Sequence, residues 1–417
     1  MIAPRALLAA LLCATLPLAA VQAGDDAPLA VRGRVHPGDG ALLADGGVLI
    51  EGGKITRVAA WDELAAALPE GTRVVALPGA EITPGLIDAG AQGLAGEEEQ
   101  AQEVVPHLRA LDGVDLSAPV WGHLARQGVT AVFAVGDVSP VIGSRGALLK
   151  TAGPAERRVV DGAGAVRITL GREAWTRGRR NRGPWGGPDL ATRRPTTRMG
   201  LVWIVREAFH AARAGAPGDA PAADTLREVL EGRVGLRVQA RQRHDLETAL
   251  RLQEELGLPP FLLEEATEAY RIPQLLAARK ARVVYGPIFE VPRGYRASTG
   301  EAEEPCLRGA AILAEAGVEL CLTAADRRDE DGLPAQAMLA IRYGLPFERA
   351  LAAVTSVPAR FLGVEGRLGT LAPGKDADLV VWSGRPFEAT TRPLLVLIDG
   401  HAARGELPRA AAPRERF

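Results

Sequence analysis

Residues 235–287, GLRVQARQRHDLETALRLQEELGLPPFLLEEATEAYRIPQLLAARKARVVYGP, decide the fold because they alternate between two hydrophobic patterns. The segments GLRVQA, PPFLLEE and ARVVYGP are short apolar runs of the kind that buried strands carry. Between the first two, RHDLETALRLQEELG has Leu246, Leu250 and Leu256 at helical spacing and ends at Gly257. The segment ATEAYRIPQLLAARK is also predicted to be helical. The stretch therefore predicts repeated strand–helix units around a parallel sheet.

The same alternation continues on both sides of this stretch. Upstream, the helical segment APVWGHLARQG precedes a strand at 129–135. Downstream, the helix EPCLRGAAILAEAG, the strand VELCLTAAD and the helices LPAQAMLAIRYG and PFERALAAVTSVPARFLG follow. A doubly wound sheet and a parallel barrel both fit such repeats. The number of units favours a (β/α)8 TIM barrel, in which active sites form at the C-terminal ends of the strands.

Both ends of the chain carry strand–turn–strand patterns instead. The N-terminal part contains LAVRGRVH, GGVLIEGGKITRVA and TRVVALPGAEITPG, and the C-terminal part contains GTLAPGKDADLVVWSG and PLLVLIDGHAARG. We expect the two ends to form one small β domain, with the barrel between them. The predicted limits are 24–82 and 365–417 for this β domain and 83–364 for the barrel.

The first residues have the pattern of a targeting segment. Arg5 supplies positive charge, residues 6–20 are apolar, and Val21-Gln22-Ala23 is a small-x-small cleavage pattern. The apolar run is short for a membrane span. We interpret residues 1–23 as a cleaved signal peptide, with an uncleaved anchor as the alternative. A periplasmic or secreted protein, with no membrane contact after cleavage, is the expected result.

The composition limits the other partners. The chain has 417 residues, 47% of them hydrophobic and 24% charged, with a net charge of -2. No overall charge points to nucleic acid or to a membrane surface. Two cysteines remain after the signal, Cys306 and Cys321, and we expect two thiols rather than a bridge.

Residues 171–198, GREAWTRGRRNRGPWGGPDLATRRPTTR, show no periodicity and are rich in arginine, glycine and proline. They are predicted to form a long loop near the barrel mouth. One interpretation is a solvated loop. The other is a strip that binds an anionic ligand or a partner, with Arg177, Arg179 and Arg180 as the candidate binding residues.

Several phrases in order along residues 30 to 400 resemble the amidohydrolase superfamily, in particular its imidazolonepropionase-like members. They include GGVLIEGGKITRV, ITPGLIDAG, GVTAVFAVG and GRLGTLAPGKDADLVVW, of which the last is the most specific. The resemblance implies a (β/α)8 barrel with a β-sandwich built from both termini. It also implies a metal site made of two histidines after strand one, one histidine each after strands five and six, and an aspartate after strand eight.

This sequence departs from that metal site at each histidine. Gly90 and Gln92 stand where the first pair belongs. Gln239 stands at the strand-five position, and Glu265 or Glu264 at the strand-six position. Glycine offers no ligand, and a neutral amide is a weak ligand for zinc. At strand eight the register leaves Asp326 and Ala325 both open.

These substitutions lead to two hypotheses. In the first, the protein has lost the usual metal-dependent hydrolysis and needs no metal cofactor. It then binds a small-molecule ligand, forms a homodimer or pairs with an active relative. In the second, it is an amidohydrolase that cleaves a C–N bond of a cyclic amide or related molecule, with a divalent metal on unusual ligands or without metal. The residues predicted to remain at the mouth are Asp326 and Glu265 as the catalytic pair and Gln92, Gln239 and Glu264 as ligand-binding groups.

Overall fold

The fold is given by a computed structural model. It describes residues 27–96, 98–99, 101–161, 164–176, 194–215, 220–288, 306–325 and 332–407. The proposed signal peptide lies outside the described residues. None of the helices in the described part is both long and apolar enough to span a bilayer.

The strands run through the whole described chain. In chain order they are β1 (Leu29–Val35), β2 (Leu43–Glu51), β3 (Lys54–Ala60), β4 (Arg73–Pro84), β5 (Leu86–Ala91), β6 (Val129–Ala134), β7 (Ile142–Arg145), β8 (Ala147–Lys150), β9 (Val159–Asp161), β10 (Ala165–Thr169), β11 (Gly235–Gln239), β12 (Leu262–Glu264), β13 (Arg282–Tyr285), β14 (Glu319–Leu322), β15 (Leu379–Trp382), β16 (Pro393–Ile398) and β17 (His401–Arg404).

The helices lie mostly between the strands of the middle region. They are α1 (Trp61–Ala65), α2 (Pro119–Arg126), α3 (Ala155–Arg158), α4 (Glu173–Thr176), α5 (Arg198–Ala214), α6 (Ala220–Leu230), α7 (Arg243–Glu255), α8 (Pro273–Ala278), α9 (Gly309–Glu315), α10 (Leu333–Arg342), α11 (Phe347–Ala353) and α12 (Ser356–Phe361). Single 3-10 turns occupy Ala110–Gly113 and Ala269–Arg271.

The two ends of the chain meet in one seven-stranded sheet, in the order β17-β16-β15-β4-β1-β2-β3. The junction is the antiparallel pairing of β15 with β4, which aligns Leu379 with Pro84. Their side chains share one core, in which Val31, Ile50 and Leu397 are buried. The strand–turn–strand segments predicted at both ends of the chain therefore pair within one sheet.

The middle region is a mixed α/β structure with parallel strands. β10 to β14 are parallel neighbours, and β7 pairs antiparallel with β10 at one edge. β5 and β6 are parallel in a second sheet with β8 and β9. A backbone hydrogen bond from Gln92 N to Ala325 O, 3.1 Å long, connects the residue after β5 to the segment after β14.

The local predictions hold well for α7 and less well for the next helix. α7 buries Leu246, Leu250 and Leu252, and its chain reverses at Gly257, which has a positive φ of 51° as helix ends require. The single helix predicted over ATEAYRIPQLLAARK was wrong. Its first part is the short 3-10 turn, and only α8 is α-helical because Pro273 begins a new helix at its first turn.

A buried ion cluster links the terminal sheet to the four-stranded sheet that contains β8. The ammonium of Lys150 on β8 donates to Asp376 at 2.8 Å and to Asp378 at 3.0 Å, and it also contacts Asp399. Burial raises the pKa of the Asp378 carboxyl to about 6, although the nearby Lys150 opposes this. Of the two thiols, Cys321 is buried and Cys306 partly buried, and both are free.

Candidate functional site

Four of the residues selected from the sequence lie together where the parallel strands end. Gln92 follows β5, Gln239 ends β11, and Glu264 ends β12 with Glu265 next to it. In the strand register Gln239 is the direct neighbour of Glu264. Gln239, Glu264 and Glu265 are at most 2% exposed, and Gln92 is half-buried. The three buried side chains are therefore not exposed to solvent at an open mouth.

The glutamates are held by arginines that the sequence analysis did not select. Arg167 on β10 places Nε 3.0 Å from Glu264 Oε2, and its Nη2 donates to Glu265 Oε1 at 2.8 Å. Arg237 on β11 donates to Glu264 Oε1. Arg241, which follows β11, donates from Nε to Glu265 Oε2 at 2.7 Å. Each glutamate is thus shared by two guanidinium groups.

Further contacts tie this cluster to the surrounding elements. Glu173 on α4 accepts a hydrogen bond from Arg241. Arg237 also donates to the backbone oxygen of Ala89 on β5, and its guanidinium lies 4.4 Å from the centre of the Phe133 ring. We call the buried ionic group the arginine–glutamate lattice; its members are Arg167, Arg237, Arg241, Glu173, Glu264 and Glu265.

The lattice is buried and balanced in charge. Its six side chains are between 1% and 3% exposed, and three guanidinium groups face three carboxylates. Arg167 and Arg237 are direct neighbours in the strand register, so that two like charges stand side by side. Glu264 contacts both and offsets their repulsion. Removing one member of such a buried group leaves an uncompensated charge away from water.

A signal for the lattice was present in the sequence. Arg167 is the central residue of AVRIT, and Arg237 is the central residue of GLRVQ. A charged residue in the middle of a buried strand is rare unless it has a partner. The period of two also places Arg237 and Gln239 on the same face of β11.

At the end of β5, Asp88 and Gly90 occupy the same edge. Asp88 accepts hydrogen bonds from Thr323 Oγ1 at 2.6 Å, from Ala324 N at 3.0 Å and from Gly90 N at 3.0 Å. A Cβ at Gly90 would lie 3.3 Å from Thr323 Oγ1. A side chain at position 90 would therefore point to the strand ends, where the resemblance expects a histidine.

Two residues at this edge have an unusual backbone conformation. Glu265 after β12 and Ala325 after β14 both have a φ of 52°. Side chains other than glycine seldom adopt this left-handed region, and such residues cluster at functional sites. Gln92 contacts both positions, because its amide donates to Glu265 and its backbone N–H donates to Ala325.

A further carboxyl group, Glu98, lies beside the lattice. Its two oxygens accept from Ser144 N at 3.0 Å and from Ser144 Oγ at 2.9 Å. Gly136 makes room for it, because a Cβ there would lie 1.4 Å from Glu98 Oε1. Burial raises the pKa of Glu98, while Ser144 and the charge of Arg167 oppose that rise.

The remaining selected residues cannot be placed. Asp326 and the loop arginines Arg177, Arg179 and Arg180 lie outside the described residues. Ala325, the alternative to Asp326 at strand eight, is described and buried.

The described residues at this edge do not suit a divalent metal ion. Glu264 and Glu265 each face two guanidinium groups, and the amide oxygen of Gln239 accepts from Gly171 N at 3.0 Å. No group of three or more histidine, cysteine, aspartate or glutamate side chains with the spacing of a metal site occurs in the described part of the chain. A cation placed here would compete with arginines that already neutralise the carboxylates.

Comparisons with known proteins fit this architecture. The model of the amidohydrolase family (Amidohydro_3) matches residues 316–402. A solved amidohydrolase from Thermotoga maritima MSB8 superposes with a TM-score of 0.80 at 27% identity, over 91% of this chain and 100% of that one. Amidohydrolase tasK of Hapsidospora irregularis is 28% identical over 86% of this chain. The chain is similar to these amidohydrolases in sequence and in fold.

The similarity is partial in length for one relative and low in identity for another. This chain spans only 40% of the length of amidohydrolase tasK. An adenosine deaminase from Xanthomonas campestris, solved with bound zinc, has a TM-score of 0.54 at 16% identity over 91% of this chain and 93% of that one. At that identity the likeness concerns the fold alone, so the zinc is a property of the deaminase.

Proposed function

We propose that this amidohydrolase-superfamily protein does not carry out metal-dependent hydrolysis and acts as a ligand-binding or partner protein. The arginine–glutamate lattice is the observation that carries this proposal. It occupies the middle of β10 and β11 and the ends of β11 and β12, and the resemblance expects a metal ligand after each of the last two strands. Its guanidinium groups supply the positive charge that a metal ion would supply, so the carboxylates are neutralised without a cofactor.

The charge balance supports the absence of a metal cofactor. A divalent ion would add two positive charges to a buried group that is already neutral. In a low-dielectric interior, repulsion between such charges is strong and poorly screened. The ion would have to displace an arginine whose own transfer away from its carboxylates is costly.

An assay of hydrolysis tests this proposal. The purified protein is incubated with a panel of cyclic amides, with and without added Zn²⁺, Mn²⁺ or Mg²⁺. We expect no turnover that depends on the added ion. Turnover that rises with both protein and metal concentration would overturn the proposal.

A second candidate function is hydrolysis of a C–N bond in a cyclic amide or related small molecule, with a divalent metal on unusual ligands or without metal. The left-handed conformation of Glu265 at the strand end favours it, as do relatives that are named amidohydrolases. Glu265 and Asp326 would act as an acid–base pair. Metal-independent turnover that Glu265→Gln abolishes, while the exposed control Glu247→Gln retains it, would support this candidate.

The finer architecture is part of the proposal. We infer that the parallel strands close into a (β/α)8 barrel over residues 83–364, supported by the Gln92–Ala325 hydrogen bond. Residues 24–82 and 365–417 then form the β-sandwich domain, supported by the pairing of β15 with β4. The resemblance to imidazolonepropionase-like members supports both statements.

Export is a separate part of the proposal. Residues 1–23 are proposed to be removed as a signal peptide, which leaves a periplasmic or secreted protein that begins at Gly24. The mass and the N-terminal sequence of the protein recovered from the exporting cells test this. An intact N-terminus in the membrane fraction would support the anchor instead.

The partner is proposed to be a small molecule, a second copy of this chain or an active relative. Binding of nucleic acid is not part of the proposal. The arginine-rich loop is proposed to bind anionic ligands. Replacing Arg177, Arg179 and Arg180 together by glutamine should weaken anion binding and leave folding unchanged. Sedimentation of the purified chain, alone and mixed with an active relative, separates a homodimer from a mixed pair.

A further inference from the structure

Two buried polar atoms at the strand ends lack a hydrogen-bond partner among the described residues. They are Nε2 of Gln239, a donor, and Oε2 of Glu173, an acceptor. The side chains are 0% and 2% exposed, so water does not reach them freely. Buried polar groups are nearly always paired in proteins, and a bound molecule is one usual explanation of an exception.

The second terminal atom of each side chain already has a hydrogen-bond partner. Gln239 Oε1 accepts from Gly171 N at 3.0 Å, and Glu173 Oε1 accepts from Arg241. A reversal of the Gln239 amide would place two N–H groups against each other at Gly171, so the free atom is the donor. The free carboxylate oxygen of Glu173 is an acceptor. The site therefore offers one donor and one acceptor.

The two atoms face the same small region. A Cβ on Gly171 would lie 3.0 Å from Gln239 Nε2 and 2.7 Å from Glu173 Oε2. Glycine at this position lets both side chains approach each other at the end of β11. The two atoms are therefore at most about 6 Å apart, a separation that the carbonyl oxygen and N–H of one planar group can bridge.

We propose that Gln239 and Glu173 form a subsite that binds a carboxamide-type group of the ligand. The carbonyl oxygen of that group accepts from Gln239 Nε2, and its N–H donates to Glu173 Oε2. A carboxylate lacks the donor and is repelled by Glu173, and an amidinium lacks the acceptor. This inference rests on the proposed ligand-binding function and names the chemistry of the ligand. It requires recognition of the amide and no cleavage.

A series of four small probes of similar size tests the subsite on the full mature chain. Acetamide presents both a donor and an acceptor, acetate only acceptors, acetamidinium only donors, and N,N-dimethylacetamide only an acceptor. Binding is measured by saturation-transfer NMR at constant ionic strength. We expect saturable binding of acetamide and at least about tenfold weaker binding of the other three, because each lost partner leaves a buried group unpaired. Equal binding of all four, or no binding of acetamide, would overturn the subsite.

A pair of isosteric variants gives a readout that a structural role would not produce. In Glu173→Gln the new oxygen can still accept from Arg241, while the free acceptor becomes a donor. The preference should then change from acetamide to acetate. In Gln239→Glu the bond from Gly171 N is kept, the free donor becomes an acceptor, and the preference should change to acetamidinium. The matched control Glu247→Gln, whose partner Arg243 is exposed, should bind as the wild type does.

The two variants also protect the test against a folding failure, because each can be measured without the other. Unchanged preference in a folded variant would contradict the subsite. Metal-dependent hydrolysis in a protein that still prefers acetamide would remove the proposed function and leave the subsite intact. If acetamide shows no preferential binding and the protein also shows no metal-dependent hydrolysis, the subsite is ruled out and the proposed function remains.

Discussion

Arg237→Met is the substitution that most directly probes the arginine–glutamate lattice. Methionine fills a similar volume and can still pack on the Phe133 ring, so the main change is the loss of charge and of donors. Glu264 then keeps only Arg167, and the backbone oxygen of Ala89 loses a donor. Breaking a buried ion pair by removing one partner costs about 3–5 kcal/mol. We therefore expect the free energy of unfolding to fall by about 4 kcal/mol, close to a thousandfold change in the folding equilibrium.

Urea denaturation followed by circular dichroism measures this loss as a lower transition midpoint. The matched control is Arg206→Met, because Arg206 forms a two-point ion pair with Glu255 on the surface. Such exposed pairs contribute about 0–1 kcal/mol. A loss in Arg237→Met no larger than that in Arg206→Met would refute the view that the lattice holds the strand ends together.

Two further predictions concern other buried carboxyl groups. Asp378 has its pKa raised to about 6, so its contribution to stability is complete below its ordinary pKa and is lost as pH rises through 6. The free energy of unfolding of Asp378→Asn, taken relative to that of the wild type, should therefore rise by about 2 kcal/mol between pH 4 and pH 7 in urea denaturation. Parallel curves of unfolding free energy against pH for the two proteins would contradict this. Gly136→Ala should displace Glu98 from Ser144 at a cost of about 1–2 kcal/mol, measured in the same way. In a Glu98→Ala background the same change should cost much less, and an equal cost in both backgrounds would show that Glu98 is not the group displaced.

Much of the fold could be predicted because its signals are local. The apolar spacing and Gly257 mark α7 and its end, and the strand–turn–strand patterns of both termini mark the terminal sheet. The meeting of the two ends followed from their shared pattern. The break before Pro273 was less visible, because a proline at the first turn of a helix also fits a continuous helical phrase.

The candidate site could be predicted only in part. Gln239, Glu264 and Glu265 were found because the resemblance gave their positions at the strand ends. Their partners were not found, because Arg167 and Glu264 are almost a hundred residues apart and meet only through the strand register. Charge pairs between neighbouring parallel strands leave no periodic signal in the sequence.

The burial of the site was also missed, for a physical reason. A strand end that lacks metal ligands can be solvated, or it can be filled by ion pairs of its own. The choice depends on whether the adjacent strands carry opposite charges facing inward. Here Arg167 and Arg237 meet the opposite charge of Glu264, and each arginine stands in the middle of a largely buried strand.

Elemental analysis of the purified chain is the measurement that tests the central claim most directly. The protein is exposed to Zn²⁺, Mn²⁺, Mg²⁺ and Ca²⁺ and freed of loosely bound ions, and its metal content is then measured. Its thermal unfolding temperature is measured in the presence and absence of a chelator. The account predicts far less than about one ion per chain and an unfolding temperature that the chelator does not change, because the lattice already neutralises its carboxylates. About one tightly held transition-metal ion per chain, with a lower unfolding temperature after chelation, would contradict it.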